Sequence, residues 1–161
     1  MKVKELMTKD VLTCHEDSNV CKIAEAMWRR DCGVLPVVNK NNEVIGVITD
    51  RDMCIATACR NCEPANLTAR EVMTRNLFTC SPDDDVSVAL KTMREKQVRR
   101  LPVLDERGNL CGILSLNDVA IKAWEAAMPT ELSSDDLAHT LEAICRHRSL
   151  AQQEPAARAA A

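Results

Sequence analysis

Apolar side chains at Val20, Ile23, Ala24 and Met27 fall at i, i+3, i+4 and i+7, and Val86, Ala89, Leu90 and Met93 repeat the spacing. Each stripe predicts an amphipathic helix buried along one side. Asn19 and Asp85 stand immediately before them, where an N-cap belongs. The period then changes. Val34 to Val38 and Val44 to Thr49 are short runs rich in β-branched residues, separated by the polar stretch 39–43, and they predict a hairpin. Residues 101–104, the polar stretch 105–109 and Leu110 to Ser115 predict a second one. Asp50 and Asn117, both capping types, open a further helix after each hairpin. With the short runs 11–13 and 77–79 taken as strands, each half reads β-α-β-β-α.

The two halves are copies of one another. An offset of 66 residues aligns 4–53 with 70–119 without a gap, through identities such as Met7-Thr8 with Met73-Thr74, Leu35-Pro36-Val37 with Leu101-Pro102-Val103, Gly46 with Gly112 and Asp52 with Asp118. Two copies are too few for an extended solenoid, whereas a pair related by a pseudo-two-fold axis lets each cover the other's apolar face. The expected fold is therefore α/β (α+β): a first repeat with its connector in residues 1–66 and a second in 67–128, followed by a C-terminal helix in 129–148 and a flexible tail in 149–161. Thr68-Ala69-Arg70-Glu71 has capping-box spacing. Ser134 is the expected cap of the last helix, whose face of Leu137, Leu141 and Ile144 lies outside the duplication and predicts a covering partner in a homodimer.

Composition narrows the function classes. Hydrophobic residues make up 46% and charged residues 28% of the 161, which describes a folded chain too short for a large multi-domain enzyme. Phe78, Trp28 and Trp124 are the only aromatics, so the core must be aliphatic, and the stacking platforms of a single-strand nucleic-acid binder are missing. The formal charge of -3 argues against a general affinity for nucleic acid or anionic membrane. No apolar run approaches the roughly 18 to 20 residues that span a bilayer, and the opening residues form no signal core, so a cytoplasmic location is expected. The nine cysteines are odd in number and scattered, which predicts reduced thiols, with Cys14, Cys32, Cys80 and Cys111 acting as small hydrophobes.

Candidate chemistry sits at the end of each hairpin, where a hydroxyl precedes a carboxylate by three residues: Thr49 with Asp52, and Ser115 with Asp118. At a strand-to-helix junction, free backbone N–H groups and the helix dipole favour a phosphate, and a carboxylate there can accept from two ribose hydroxyls. The same pairs also suit a plain helix cap, and the spacing leaves both readings open.

Val72-Met73-Thr74, the helix stripe, Arg99-Arg100-Leu101-Pro102-Val103 and Gly112 to Ser115 with Asp118 together resemble a cystathionine-β-synthase (CBS) domain. The first copy matches through Leu6-Met7-Thr8, Gly33-Val34-Leu35-Pro36-Val37 and Gly46 to Asp52. The resemblance implies a regulatory module rather than an enzyme. Such pairs commonly bind AMP, ADP or ATP, and in some members S-adenosylmethionine or NAD, in clefts between the copies, and they usually form disk-like homodimers. Residue by residue, it assigns Thr49 with Asp52 and Ser115 with Asp118 to ribose, and Arg99 to phosphate, with Arg100 and Arg51 as further cations. Val34, Leu35 and Leu101, with Val47 and Ile113, are the apolar candidates for wedging adenine. Gly33 stands where the second copy has Arg99, and Asn117 where the first has Arg51, so the two clefts are expected to differ.

A competing pattern is Cys54-x4-Cys59-x2-Cys62, the spacing of three ligands in plant-type [2Fe-2S] ferredoxins, with Cys145 or Cys32 as a conceivable fourth. A helix through 52–58 would point Cys54 away from Cys59, and the glycines of a cluster-wrapping loop are missing, so metal-free thiols are expected. His15, His139 and His147 have no catalytic companions in sequence.

Overall fold

The computed structural model describes residues 1–125 and 134–146. Helix α1 (Val3–Leu6), strand β1 (Cys14–His15), helix α2 (Val20–Arg29), the hairpin β2 (Val34–Val38) and β3 (Val44–Thr49), and helix α3 (Asp50–Arg60) form the first copy. A 3-10 turn at Pro64–Asn66 leads to α4 (Ala69–Val72), α5 (Val86–Lys96), β4 (Arg100–Leu104), β5 (Leu110–Ser115) and α6 (Leu116–Glu125), and α7 (Ser134–Cys145) follows. Both hairpins share one antiparallel register: Leu35 opposes Ile48 and Leu101 opposes Leu114, with an irregularity after Val37 and after Val103. Their turns place Asn42 and Gly108 in the left-handed region, at φ 61° and 81°.

Local differences from the sequence pattern have identifiable causes. The strands expected at 11–13 and 77–79 lie further along: Cys14 and His15 pair in parallel with Val37 and Val38, and the second copy has only the isolated bridge Cys80–Val103. Asn19 caps α2 by accepting the Lys22 N–H at 3.0 Å. Asp85 precedes α5 without capping it, because its carboxylate is drawn to Lys2 Nζ at 3.0 Å. Ala24 is exposed although its counterpart Leu90 is buried.

The copies are joined by an exchange of their leading segments. Val3 N–H donates to the Asp84 carbonyl and Lys4 N–H to that of Pro82, while Ala69 N–H donates to Ser18 and Arg70 N–H to Glu16. Further on, Thr8 and Ile113 trade two backbone hydrogen bonds, as do Thr74 and Val47. One core therefore combines Val3 and Leu6 with Val86, Leu90, Met93, Leu101, Leu114 and Val119. The other combines Leu67, Ala69 and Met73 with Val20, Ile23, Leu35, Ile48 and Met53. Neither copy keeps its own leading segment, so each completes the other's apolar interior, the dominant favourable term in folding.

Leu137 and Ile144 of α7 pack on the second copy's core. Gln97 Nε2 donates to the carbonyls of Ala143 and Arg146, at 2.9 and 3.2 Å, satisfying groups that a helix end leaves without partners. The helical face expected to await a second copy is thus covered within the chain, leaving Leu141 half exposed. His147, the tail 149–161 and the side chain of Ser134 lie outside the described residues.

Candidate functional site

At both strand-to-helix junctions the hydroxyl and the acid close a reciprocal capping box. Ser115 Oγ accepts the Asp118 N–H at 3.1 Å, and Asp118 Oδ2 accepts the Ser115 N–H at 2.8 Å and its hydroxyl at 2.6 Å. Thr49 and Asp52 repeat this at 3.1, 3.0 and 2.7 Å. The helix caps are thus the hydroxyl residues rather than Asp50 and Asn117, and α6 starts at Leu116. The box uses one carboxylate oxygen, Oδ2, in each copy. It fixes the carboxylate and leaves Oδ1 as an acceptor.

Ser115 and Asp118 line a cleft between the copies of about 350 Å³. Its walls come from both: Val34 and Leu35 at the start of β2 and Ile113 of β5 bring apolar surface, and Arg100 enters from β4. Val11 and Leu12, which leave the expected strand, supply more apolar lining. Arg30, at the C-terminal end of α2, donates to Asp10 at 3.1 Å on the rim, and Asp31 beside it holds a left-handed φ of 47°. Of the residues expected at a site, Ser115, Asp118, Arg100, Val34, Leu35 and Ile113 are brought together here. Thr49, Asp52, Arg51, Arg99 and Val47 are not part of this cleft. Leu101, expected to wedge an adenine, is wholly buried in the second copy's core. The pairing of the Ser115 motif with Gly33 to Leu35, rather than with Arg99, follows from the segment exchange, which sequence spacing does not reveal.

Asp10, Arg30 and Asp31 were not singled out by the sequence pattern. The signal was present, since the second copy replaces them with Asn76, Lys96 and Gln97.

The cysteines do not gather. Cys54, Cys59 and Cys62 are exposed on α3 and just beyond it. Among the described residues no group of three or more His, Cys, Asp or Glu side chains is placed to hold a metal ion. Cys14 and Cys80 are buried, and loss of hydration pushes each thiol up to about 12. Since the thiolate is the nucleophile, a thiol reagent at pH 8 should modify Cys21, Cys54, Cys59, Cys62 and Cys145 rapidly in the native protein. Cys14 and Cys80 should react only after denaturation, and mass mapping of the labelled peptides checks this. Rapid labelling of Cys14 would contradict the packing of β1.

The CBS domain family model matches residues 3–58 and 69–124. The chain is 34% identical over 117 residues to the uncharacterized protein MK0525 of Methanopyrus kandleri, covering 73% of this chain and 60% of that one. It is 32% identical over 119 residues to the CBS domain-containing protein YhcV of Bacillus subtilis, covering 74% and 83%. It spans only 23% of the homoserine O-acetyltransferase of Methanococcoides burtonii, at 32% identity over 117 residues. Among solved structures, Hypoxic Response Protein I with two coordinated zinc ions is similar at a TM-score of 0.68 and 28% identity, covering 75% of this chain and 98% of that one. The CBS domain pair of protein MJ0100 in complex with 5′-methylthioadenosine and S-adenosyl-L-methionine gives a TM-score of 0.70 at 23% identity, covering 80% and 98%. CBSX2 in complex with AMP gives 0.67 at 22%, covering 79% and 98%. With both copies matched in full register, the chain belongs to the CBS-domain family and carries two CBS domains in tandem.

Proposed function

We propose that this CBS pair is a regulatory sensor that binds an adenine nucleotide, AMP, ADP or ATP or a related adenosyl ligand such as S-adenosylmethionine or NAD. It binds in the clefts between its copies and acts in trans, as a homodimer, on a protein target. The observation that carries this reading is the cleft at Ser115 and Asp118, where a fixed carboxylate, apolar walls and arginines converge in one space. Val34, Leu12 and Ile113 suit the faces of a purine, with Leu35 buried behind them, and Asp118 Oδ1 suits the ribose hydroxyls. Arg100 supplies a cation for an anionic tail. A concave, mostly pre-formed site with apolar walls and few polar groups is the usual form of a small-molecule site. The adenosyl compounds held by the MJ0100 pair and by CBSX2 support the same class of ligand.

Calorimetry of the nucleotide-stripped chain against AMP, ADP, ATP, NAD and S-adenosylmethionine tests the reading. A ligand that binds only the folded state adds about 2.7 kcal/mol of stability at a hundredfold excess over Kd, which raises the melting temperature by roughly 5 to 10 °C for a chain of this size. Silence with all five ligands refutes the sensor. Light scattering tests the assembly, and a monomer at micromolar concentration removes the homodimer from the proposal.

A further inference from the structure

The cleft of Ser115 and Asp118 carries more acid than base. Besides Arg100, its charged residues are Asp10, Asp31 and Asp118 against Arg30, and Arg30 is already paired with Asp10 at 3.1 Å. Arg100 occupies the repeat position of Val34, and both line this same cleft, so Arg100 stands on the boundary and distinguishes neither side.

The offset of 66 that aligns the sequence also relates the backbone around the clefts. Asp31 and Gln97 share the left-handed conformation, at φ 47° and 52°. Gly33 accepts from Asp50 N–H at 3.3 Å as Arg99 accepts from Leu116 N–H at 2.9 Å. The capping boxes coincide. Applied to the charges, that relation turns Asp10 into Asn76, Asp31 into Gln97 and Arg30 into Lys96, places Arg99 at Gly33 and Arg51 at Asn117, and keeps the acid as Asp52. Three aspartates against one arginine become Lys96, Arg99 and Arg51 against one aspartate. Lys96 is held with its ammonium 5.4 Å from the centre of the Phe78 ring, on the residue that replaces Leu12. A Cβ on Gly33 would stand 2.9 Å from Asp50 Oδ2, the end of an exposed side chain that can swing aside. In the second copy Leu116 occupies the position of Asp50.

Building on the nucleotide-sensor reading, we infer that the two clefts sort adenosyl ligands by charge. The cleft of Ser115 and Asp118 takes an uncharged or cationic adenosyl compound, and the cleft of Thr49 and Asp52 takes an adenosine polyphosphate. A polyphosphate approaching the first cleft meets three carboxylates against Arg100 and an Arg30 already paired with Asp10. In the second, the repeat relation sets Arg99, Arg51 and Lys96 beside Arg100 against Asp52 alone. Charges several Å apart in a partly screened site are worth roughly a factor of ten in affinity each, so the contrast is large enough to select.

The experiment uses the stripped full chain with 5′-methylthioadenosine, which is uncharged, and ATP. Both should bind together, and saturating ATP should leave methylthioadenosine bound. The pair Arg51→Ala with Arg99→Ala should weaken ATP by roughly a hundredfold and leave the methylthioadenosine Kd unchanged. The pair Asp10→Asn with Asp31→Gln brings in the second copy's own residues, and Gln97 already adopts the required left-handed backbone. That variant should gain a second ATP site that competes with methylthioadenosine. Mutual exclusion of the two ligands in the wild type, or ATP affinity unmoved by loss of both arginines, overturns the sorting while leaving the sensor intact. Failure of both ligands to bind overturns the sensor reading itself, and the sorting with it.

Discussion

Gly46→Ala should lower the melting temperature by roughly 6 to 12 °C, while Gly112→Ala, the same change at the equivalent position, should cost no more than about half of that. Both glycines are buried where a leading segment of one copy crosses the hairpin of the other. A Cβ on Gly46 would lie 2.7 Å from the Thr74 carbonyl oxygen. That oxygen accepts the Val47 N–H at 3.0 Å, and Val47 accepts from Thr74 in return, so relieving the clash means opening the crossing itself. A Cβ on Gly112 would meet Met7 Sδ first, at 2.5 Å, with the Thr8 oxygen further away at 3.1 Å. A thioether on three rotatable bonds can swing aside where a carbonyl in a ladder cannot. Overpacking a tight interior costs about 1 to 3 kcal/mol, and the rigid obstacle sets Gly46 at or above the top of that range. Thermal and urea denaturation of the two variants measures the difference. Equal, small losses would show that the crossing yields as easily as a side chain.

Most of the local architecture was legible because it is dictated locally. The switch from a 3.6-residue to a two-residue period marked α2, α5 and both hairpins, since buried faces impose those periods directly. The helix caps were misplaced by one residue in the first copy and two in the second because Thr49 and Asp50, like Ser115 and Asn117, are all capping types, and only the closed box decides among them. The strand at Cys14 was read too early because two residues of parallel pairing with Val37 and Val38 leave no periodic trace. Val11 and Leu12, whose apolar character suggested a strand, face the cleft instead. The segment exchange was illegible for a similar reason: the partners of Val3, Thr8, Ala69 and Thr74 are set by tertiary pairing between copies that sequence symmetry makes equivalent. Repeat identity shows that Thr8 and Thr74 have like environments, but not which copy supplies them. The candidate site inherits this limit, since the motifs were visible and their pairing into a cleft was not.

Asp118→Asn and Asp118→Ala should separate the two tasks that sequence spacing left entangled. The cap uses Asp118 Oδ2, which accepts from the Ser115 N–H and hydroxyl. Asparagine keeps a carbonyl oxygen for those two donors, so the box can still close and the apo protein should melt within a few degrees of wild type. Its amide nitrogen replaces the remaining oxygen, turning a charged acceptor into a neutral donor at the point where ribose hydroxyls would bind. Loss of a hydrogen bond to a charged group is worth about 1.5 to 3 kcal/mol, or roughly 10- to 100-fold in affinity, and methylthioadenosine should weaken by that factor. Alanine removes the acceptor of the capping box as well, leaving the Ser115 N–H without its partner and lowering apo stability by about 1 to 3 kcal/mol on top of the same loss of affinity. At Asp52 the pattern should recur with ATP as the ligand that weakens, because the box there has the same geometry. The readouts are the apo melting temperature and the calorimetric Kd for each variant. An asparagine variant that binds as tightly as wild type would confine the carboxylate to capping, and the ribose would then have to be held by other groups in the cleft.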